Sequence, residues 1–209
     1  VSSEHPLTGT QPSRPPDPQI LDAARAAVSK YGYAGLSLER IAAEAGLSRV
    51  TLHRRGFTTE EIFDELVERG MTEQREALWP VLAAEGSGAE RLRLALEAIL
   101  GRCEEDLDVL LAISAQSDVR RHHEGGPAAT AQRITSAGRV LVDPLQVLIR
   151  EGVSDGSLRE VDADAEAVLL LVSVAATYVR LRTAFDMPAR PAREMVIDHS
   201  LRALLVGES

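Results

Sequence analysis

The chain has 209 residues, 44% hydrophobic and 26% charged, with a formal net charge of −9. That length buries a real core as one large domain or as a small module joined to a larger one. Aromatic residues make up only 3%, so the core must be built from Leu, Val, Ile and Ala, while the single cysteine, Cys103, excludes an intrachain disulfide and a cysteine-based zinc cluster. No stretch approaches the roughly 18 uninterrupted apolar residues of a membrane span, and the first residues lack the basic-then-apolar order of a signal peptide. A cytoplasmic protein with no membrane partner is expected.

In chain order, residues 1–18 carry Pro6, Pro12, Pro15, Pro16 and Pro18 among Ser, Thr and Gly, a composition expected to leave a disordered arm. Order is expected from there. Ile20, Leu21, Ala24, Ala27, Val28 and Tyr31 repeat at helical spacing as far as Gly32. Ser37 is placed to cap a second helix whose inner face is Leu38, Ile41, Ala42 and Ala45, and which stops at Gly46. Ser48 then caps a third helix, Arg49 to about Arg55, after a turn of only four residues. Two short helices about so tight a glycine turn predict a helix-turn-helix within a domain spanning 19–64.

Thr58 and Glu61 have the spacing of a capping box, opening a longer helix toward Trp79 that Pro80 should kink or end. Apolar-periodic segments follow over about 87–105, 107–120 and 127–151. A loop from Gly152 to Arg159 leads to Asp162, a cap for a helix reaching about Phe185, and a last helix ends near Val206. With no strand alternation, the expected fold is all-α, about nine helices, with 65–209 forming the larger domain.

Charge is uneven along this plan. From Arg14 to Thr58 seven basic residues stand against four acidic ones, so the remainder carries −12. A mildly basic module on an acidic body can hold phosphates locally while the body is repelled from them. On the third helix, with Leu52 set inward at about 100° per residue, Val50 and Arg54 fall on the opposite face, flanked by Thr51 and His53. Those side chains suit a DNA major groove. Arg54 has two donors for guanine, Thr51 reaches a base or a phosphate, and Val50 packs on a thymine methyl. Arg49 is placed for a phosphate, and Arg55 for either a phosphate or an internal carboxylate.

The stretch 20–63, ILDAARAAVSKYGYAGLSLERIAAEAGLSRVTLHRRGFTTEEIF, resembles the DNA-binding domain of the TetR family of bacterial regulators. The family's Gly-Tyr turn is Gly32 and Tyr33, its Ile-Ala pair is Ile41 and Ala42, and its Ala-Gly-Val-Ser turn is Ala45, Gly46, Leu47 and Ser48. Three departures stand out. Leu36 replaces the usual Thr, leaving Ser37 to supply the cap. His53 replaces the usual Tyr. Gly56 and Thr59 stand where the family has an aromatic and a Lys, with Phe57 placed to fill the aromatic's position. Fewer phosphate contacts and a shallower salt dependence are expected. The resemblance implies DNA contacts at Ser37, Ser48, Arg49, Val50, Thr51, His53 and Arg54.

It also implies a homodimer, because a symmetric pair of such modules meets a near-palindromic operator in double-stranded DNA. The helix from Asp162, with Val168, Leu169, Leu170, Leu171, Val172, Val174 and Val179, is apolar around too much of its circumference for one neighbour. With the last helix it resembles the family's dimer-forming pair. A small-molecule ligand, unidentified, is implied among the middle helices, with Trp79, Cys103 and Tyr178 as candidate lining residues, and a repressor released by that ligand is the expected function. His122 and His123 have no third ligand at a metal spacing, so no metal and no cofactor are expected. Nor is an enzyme: there is no paired carboxylate, phosphate loop or nucleophile motif. A helical interaction protein that has lost DNA binding is the alternative.

Overall fold

The computed structural model describes residues 15–123 and 128–206, with the side chains of residues 116–140 outside that description. Among the described residues there are nine α-helices: α1 (Pro18–Tyr31), α2 (Leu38–Glu44), α3 (Arg49–Arg54), α4 (Thr59–Leu82), α5 (Gly88–Glu105), α6 (Leu107–His123), α7 (Ala128–Ser154), α8 (Ala163–Thr183) and α9 (Ala189–Arg202). A short 3-10 turn, Tyr33–Gly35, joins α1 to α2. The fold is all-α, as expected. The chain divides into two compact units, one up to Val67 and one from Glu68, with α4 contributing to both. The expected arm lies, through residue 14, outside the described residues.

In the first unit the helix boundaries follow local chemistry. Pro18 opens α1, where its missing N–H costs nothing. The Ser37 hydroxyl accepts the Arg40 N–H, and Ser48 accepts that of Thr51. At the end of α2, Gly46 takes φ +66°, letting its own N–H reach the Ala43 carbonyl and that of Leu47 reach Ala42. That left-handed residue makes the turn tight enough for α3 to begin three residues later. Ile20, Leu21, Ala24, Ala27 and Val28 of α1 bury together with Ile41, Ala42, Leu52, Phe57, Ile62, Phe63 and Leu66. The Tyr33 ring meets Phe63 edge-on, centroids 5.0 Å apart. Tyr31, expected on the inner stripe of α1, is instead at the exposed edge, with the Arg40 guanidinium 4.3 Å from its ring centroid.

The second unit is built on a core of α5, α7, α8 and α9. Leu92, Leu96, Ile99 and Leu100 pack with Leu145, Leu148, Ile149, Leu170, Val174, Val196, Ile197 and Leu201. Gly152, expected to open a loop, lies inside α7. A Cβ on Gly88 would fall 2.1 Å from the Gly152 nitrogen, so the start of α5 and the end of α7 touch backbone to backbone. The first N–H groups of α5 are all met: Gly88 donates to Asp155 Oδ2 (2.7 Å), Ala89 to Ser157 Oγ (3.0 Å) and Glu90 to Ser87 Oγ (3.3 Å).

Other boundaries shift for identifiable reasons. Pro80 sits in the last turn of α4, which ends at Leu82. The last helix ends at Arg202, short of Val206, because the chain turns to pair Leu205 with Leu158, and Arg159 N–H donates to the Leu204 carbonyl (2.9 Å). This single bridge is the strand-like pairing present among the described residues. Asp162 caps α8 by accepting from Asp164 and Ala165.

Candidate nucleic-acid interface

Leu52 anchors α3 by burying fully, which turns the rest of this six-residue helix outward. Val50 is 64% exposed. Arg49, His53 and Arg54 are exposed, and Thr51 is half-buried with its hydroxyl 2.8 Å from Ser48 Oγ. The face set by helical periodicity is therefore the solvent face. Ser37 and Ser48 serve first as caps that fix where α2 and α3 start.

The cations of this unit differ in how they are used. Lys30 pairs with Glu44 at 3.1 Å, Arg55 with Asp17 at 3.0 Å, and Arg40 lies over Tyr31. Of the two roles open to Arg55, the internal carboxylate is the one occupied. That pair, with Gln19 Nε2 donating to the Ala45 carbonyl (3.1 Å), holds the start of α1 against the α2–α3 corner. Arg49 and Arg54 make no hydrogen bond or ion pair to the described residues. They stand on the outward face of α3, where a polyanion is met at no cost in broken pairs. Phe57 is buried beside Leu52, an aromatic one position after Gly56.

In the second unit, the candidate lining residues fare differently. Trp79 is 73% exposed on α4 and faces away from the core, because the inward stripe there is taken by Leu78 and Val81. Cys103 is buried, and burial pushes its thiol up to about 11, with Asp106 adding to the rise and Arg102 opposing it. Tyr178 is buried with its hydroxyl 2.6 Å from Glu104 Oε2. Arg182 donates to both oxygens of the same carboxylate at 2.8 Å. The hydrogen bonds of Arg182 hold the Glu104 carboxyl down at about 2, against the opposing effect of burial and with help from Tyr178. Sequence reading missed Glu104 and Arg182, since 78 residues separate them and neither belongs to a motif. His122 and His123 close α6, with side chains outside the described residues. Among the described residues no three His, Cys, Asp or Glu side chains gather as a metal site, and no helix is long and apolar enough to cross a membrane.

Comparison with known proteins bears on this geometry. Residues 20–66 match the family of bacterial regulatory proteins, tetR family. An uncharacterised HTH-type transcriptional regulator of Mycobacterium bovis is 26% identical over 159 residues, covering 76% of this chain and 78% of the relative. An HTH-type regulator of Mycobacterium tuberculosis aligns to the same extent. Among solved structures, a TetR transcription regulator from Haloarcula marismortui superposes with a TM-score of 0.72 at 21% identity, over 90% of this chain and 97% of that one. A regulator-fold chain from Saccharomonospora viridis in complex with choline gives 0.75 at 21% identity, over 90% and 97%. These structures show that the fold is shared. With residues 20–66 matched in sequence, the first unit carries a DNA-binding domain of the tetR family type, and the chain is a DNA-binding transcriptional regulator.

Proposed function

We propose that the protein is a homodimeric repressor that reads a near-palindromic operator with α3 and leaves it when a small molecule binds the second unit. The observation that carries the DNA-reading part is the outward face of α3, where Arg49 and Arg54 have no partner among the described residues while Lys30, Arg40 and Arg55 are engaged within the chain. Arg54 donates to a guanine edge, Val50 packs on a thymine methyl, and Thr51 and His53 contact bases or adjoining phosphates. Arg49 takes a phosphate, with Ser37 and Ser48 fixing the two helix starts. The domain limits proposed are 19–64 for this module and 65–209 for the remainder.

Dimerisation is supported by α8. Its Ala167, Leu170, Val174 and Tyr178 bury within the chain, yet Val168, Leu169 and Val172 on the other side stay exposed, as does Met195 of α9. An apolar stripe of that kind is suited to a second copy, and two copies present two α3 helices to half-sites about 34 Å or a multiple apart. Ligand control draws support from the choline-bound relative and from α4, one helix shared by both units. Among the interior side chains, Cys103 and Tyr178 are the proposed neighbours of the ligand. A ligand that binds the DNA-incompetent arrangement better shifts the population away from the operator.

Selection of bound sequences from random duplex DNA tests this directly. A near-palindrome should be enriched, Arg54→Ala should weaken binding at least tenfold, and sedimentation should show the dimer unchanged. Recovery of no symmetric sequence, or full binding by Arg54→Ala, defeats the proposal.

A further inference from the structure

Along the inner stripe of α4, Met71, Gln74, Leu78 and Val81 follow one another at spacings of three and four residues. Leu78 and Val81 are buried in the second unit's core and Met71 packs against it. Gln74 interrupts this apolar series. It is 8% exposed, the one polar residue buried to that degree among the described residues. Its Nε2 is buried and has no hydrogen-bond partner among the described residues. Leaving a buried amide donor unpaired costs about 1–3 kcal/mol, a penalty that an apolar side chain of similar size avoids. Such a donor is set for a partner that the described residues do not supply.

The surroundings of that donor follow from the cross-links between α4 and α5. Arg102 Nη2 meets Glu73 Oε2 (2.5 Å), and Arg91 Nη2 donates to the Leu82 carbonyl (2.6 Å). The two helices therefore run antiparallel, and Gln74 stands level with the α5 stretch that carries Ile99, Leu100 and Cys103, all buried in the same core. The guanidinium groups at this level are already engaged. Arg102 is shared among Glu73, Glu105 and Asp106, and Arg69 also pairs with Glu73. An anionic ligand would meet more carboxylates than guanidinium groups, and burying its charge uncompensated is prohibitive. A cation would face a donor. A neutral molecule with an acceptor oxygen and an apolar body satisfies both the amide and the aliphatic wall.

We propose that Gln74 is the ligand-orienting residue of the second unit, donating through Nε2 to a carbonyl, hydroxyl or ether oxygen of a neutral, mainly apolar small molecule held against α4 and α5. The assignment rests on the reading of the protein as ligand-controlled, and it names the class of ligand. Because Gln74 lies on the helix common to both units, the molecule it holds acts on α4 itself.

Four probes of one chain length separate the alternatives with the full-length protein: octan-2-one, octan-1-ol, octane and octanoate, titrated by calorimetry and by release from the selected operator. The wild type should bind the ketone and the alcohol at least tenfold more tightly than octane or octanoate. Gln74→Leu and Gln74→Met should each cut the ketone-to-octane preference about tenfold and melt at a higher temperature without ligand. A merely structural amide would leave that preference where it was. Octanoate binding as tightly as the ketone, or a preference unmoved in both variants, overturns the assignment. If octanoate releases the protein from DNA and neither variant alters that, ligand control survives while Gln74 is excluded; if no probe binds or releases the protein, both fall.

Discussion

Up to Val67, helix starts are fixed by residues three positions away, Ser37 on Arg40, Ser48 on Thr51 and Thr58 on Glu61. From Glu68 onward Ser87 and Asp162 cap in the same local way, but further bonds there span about a third of the chain. Gly88 donates to Asp155 and Ala89 to Ser157, 67 and 68 residues away, and Tyr178 reaches Glu104 across 74. The contrast separates two ways of specifying helices. Local caps make a small module whose parts fail one at a time, whereas closure over long separations makes a body in which one misplaced contact is felt by several helices.

The sharpest test of that contrast is Gly88→Ala. Its new Cβ would collide with backbone at 2.1 Å, with no flexible side chain to yield. Overpacking of this kind should cost about 3 kcal/mol in urea unfolding, and the long-range bonds of Asp155 and Ser157 should be lost with it. A change under about 0.5 kcal/mol would show that α5 and α7 are not closely apposed. In the first unit, Leu52→Ala should cost about 2 kcal/mol, at the low end for a buried leucine because so short a helix can settle inward. DNA affinity should fall with it while the second unit keeps its helical signal.

Glu104→Gln sharpens the comparison through pH. Because the folded carboxyl titrates at about 2 rather than near the usual 4.5, the folded state holds fewer protons than the unfolded one between those values. The stabilisation is therefore complete above about pH 4.5 and fades as pH falls toward 2. Above pH 5 the variant should be about 1.5 kcal/mol less stable than wild type, a low figure for charged hydrogen bonds because the carboxylate is partly exposed. Urea midpoints of the two proteins should converge on acidification; parallel curves would remove the cluster from the account. Ser48→Ala should cost about 1 kcal/mol, the usual worth of such a cap, and weaken DNA binding without affecting the dimer by sedimentation. The smallest effect belongs to Asp17→Ala, about 0.5 kcal/mol for an exposed pair, with the released Arg55 leaving thermal stability nearly unchanged.

The same contrast governs what could be read in advance. Ser37, Gly46, Ser48 and Leu52 lie within sixteen residues, so capping preference, a left-handed glycine and helical periodicity place α2, α3 and the outward face of α3 without any knowledge of the rest. The caps at Asp162 and Thr58 were equally visible. Gly152 was not, because a glycine that permits close approach looks the same in sequence as one that ends a helix. Trp79 looked like a lining residue by its chemistry alone, yet its position one residue past Leu78 turns it outward. Arg55 takes its partner from Asp17, 38 residues earlier, a separation that no local pattern bridges. Glu104, Arg182 and Gln74 carry no local signature. Only the packing of α4, α5 and α8 shows that one carboxylate is fully used and one amide is not.

Cys103 gives the second unit a built-in clock. It is the only thiol in the chain, it is buried, and burial keeps it protonated well past neutrality. A thiol reagent in excess must wait for the core around α5 to open. The rate of that one covalent event then reports the lifetime of the closed state, and any molecule that settles in the core should lengthen it in proportion to its occupancy.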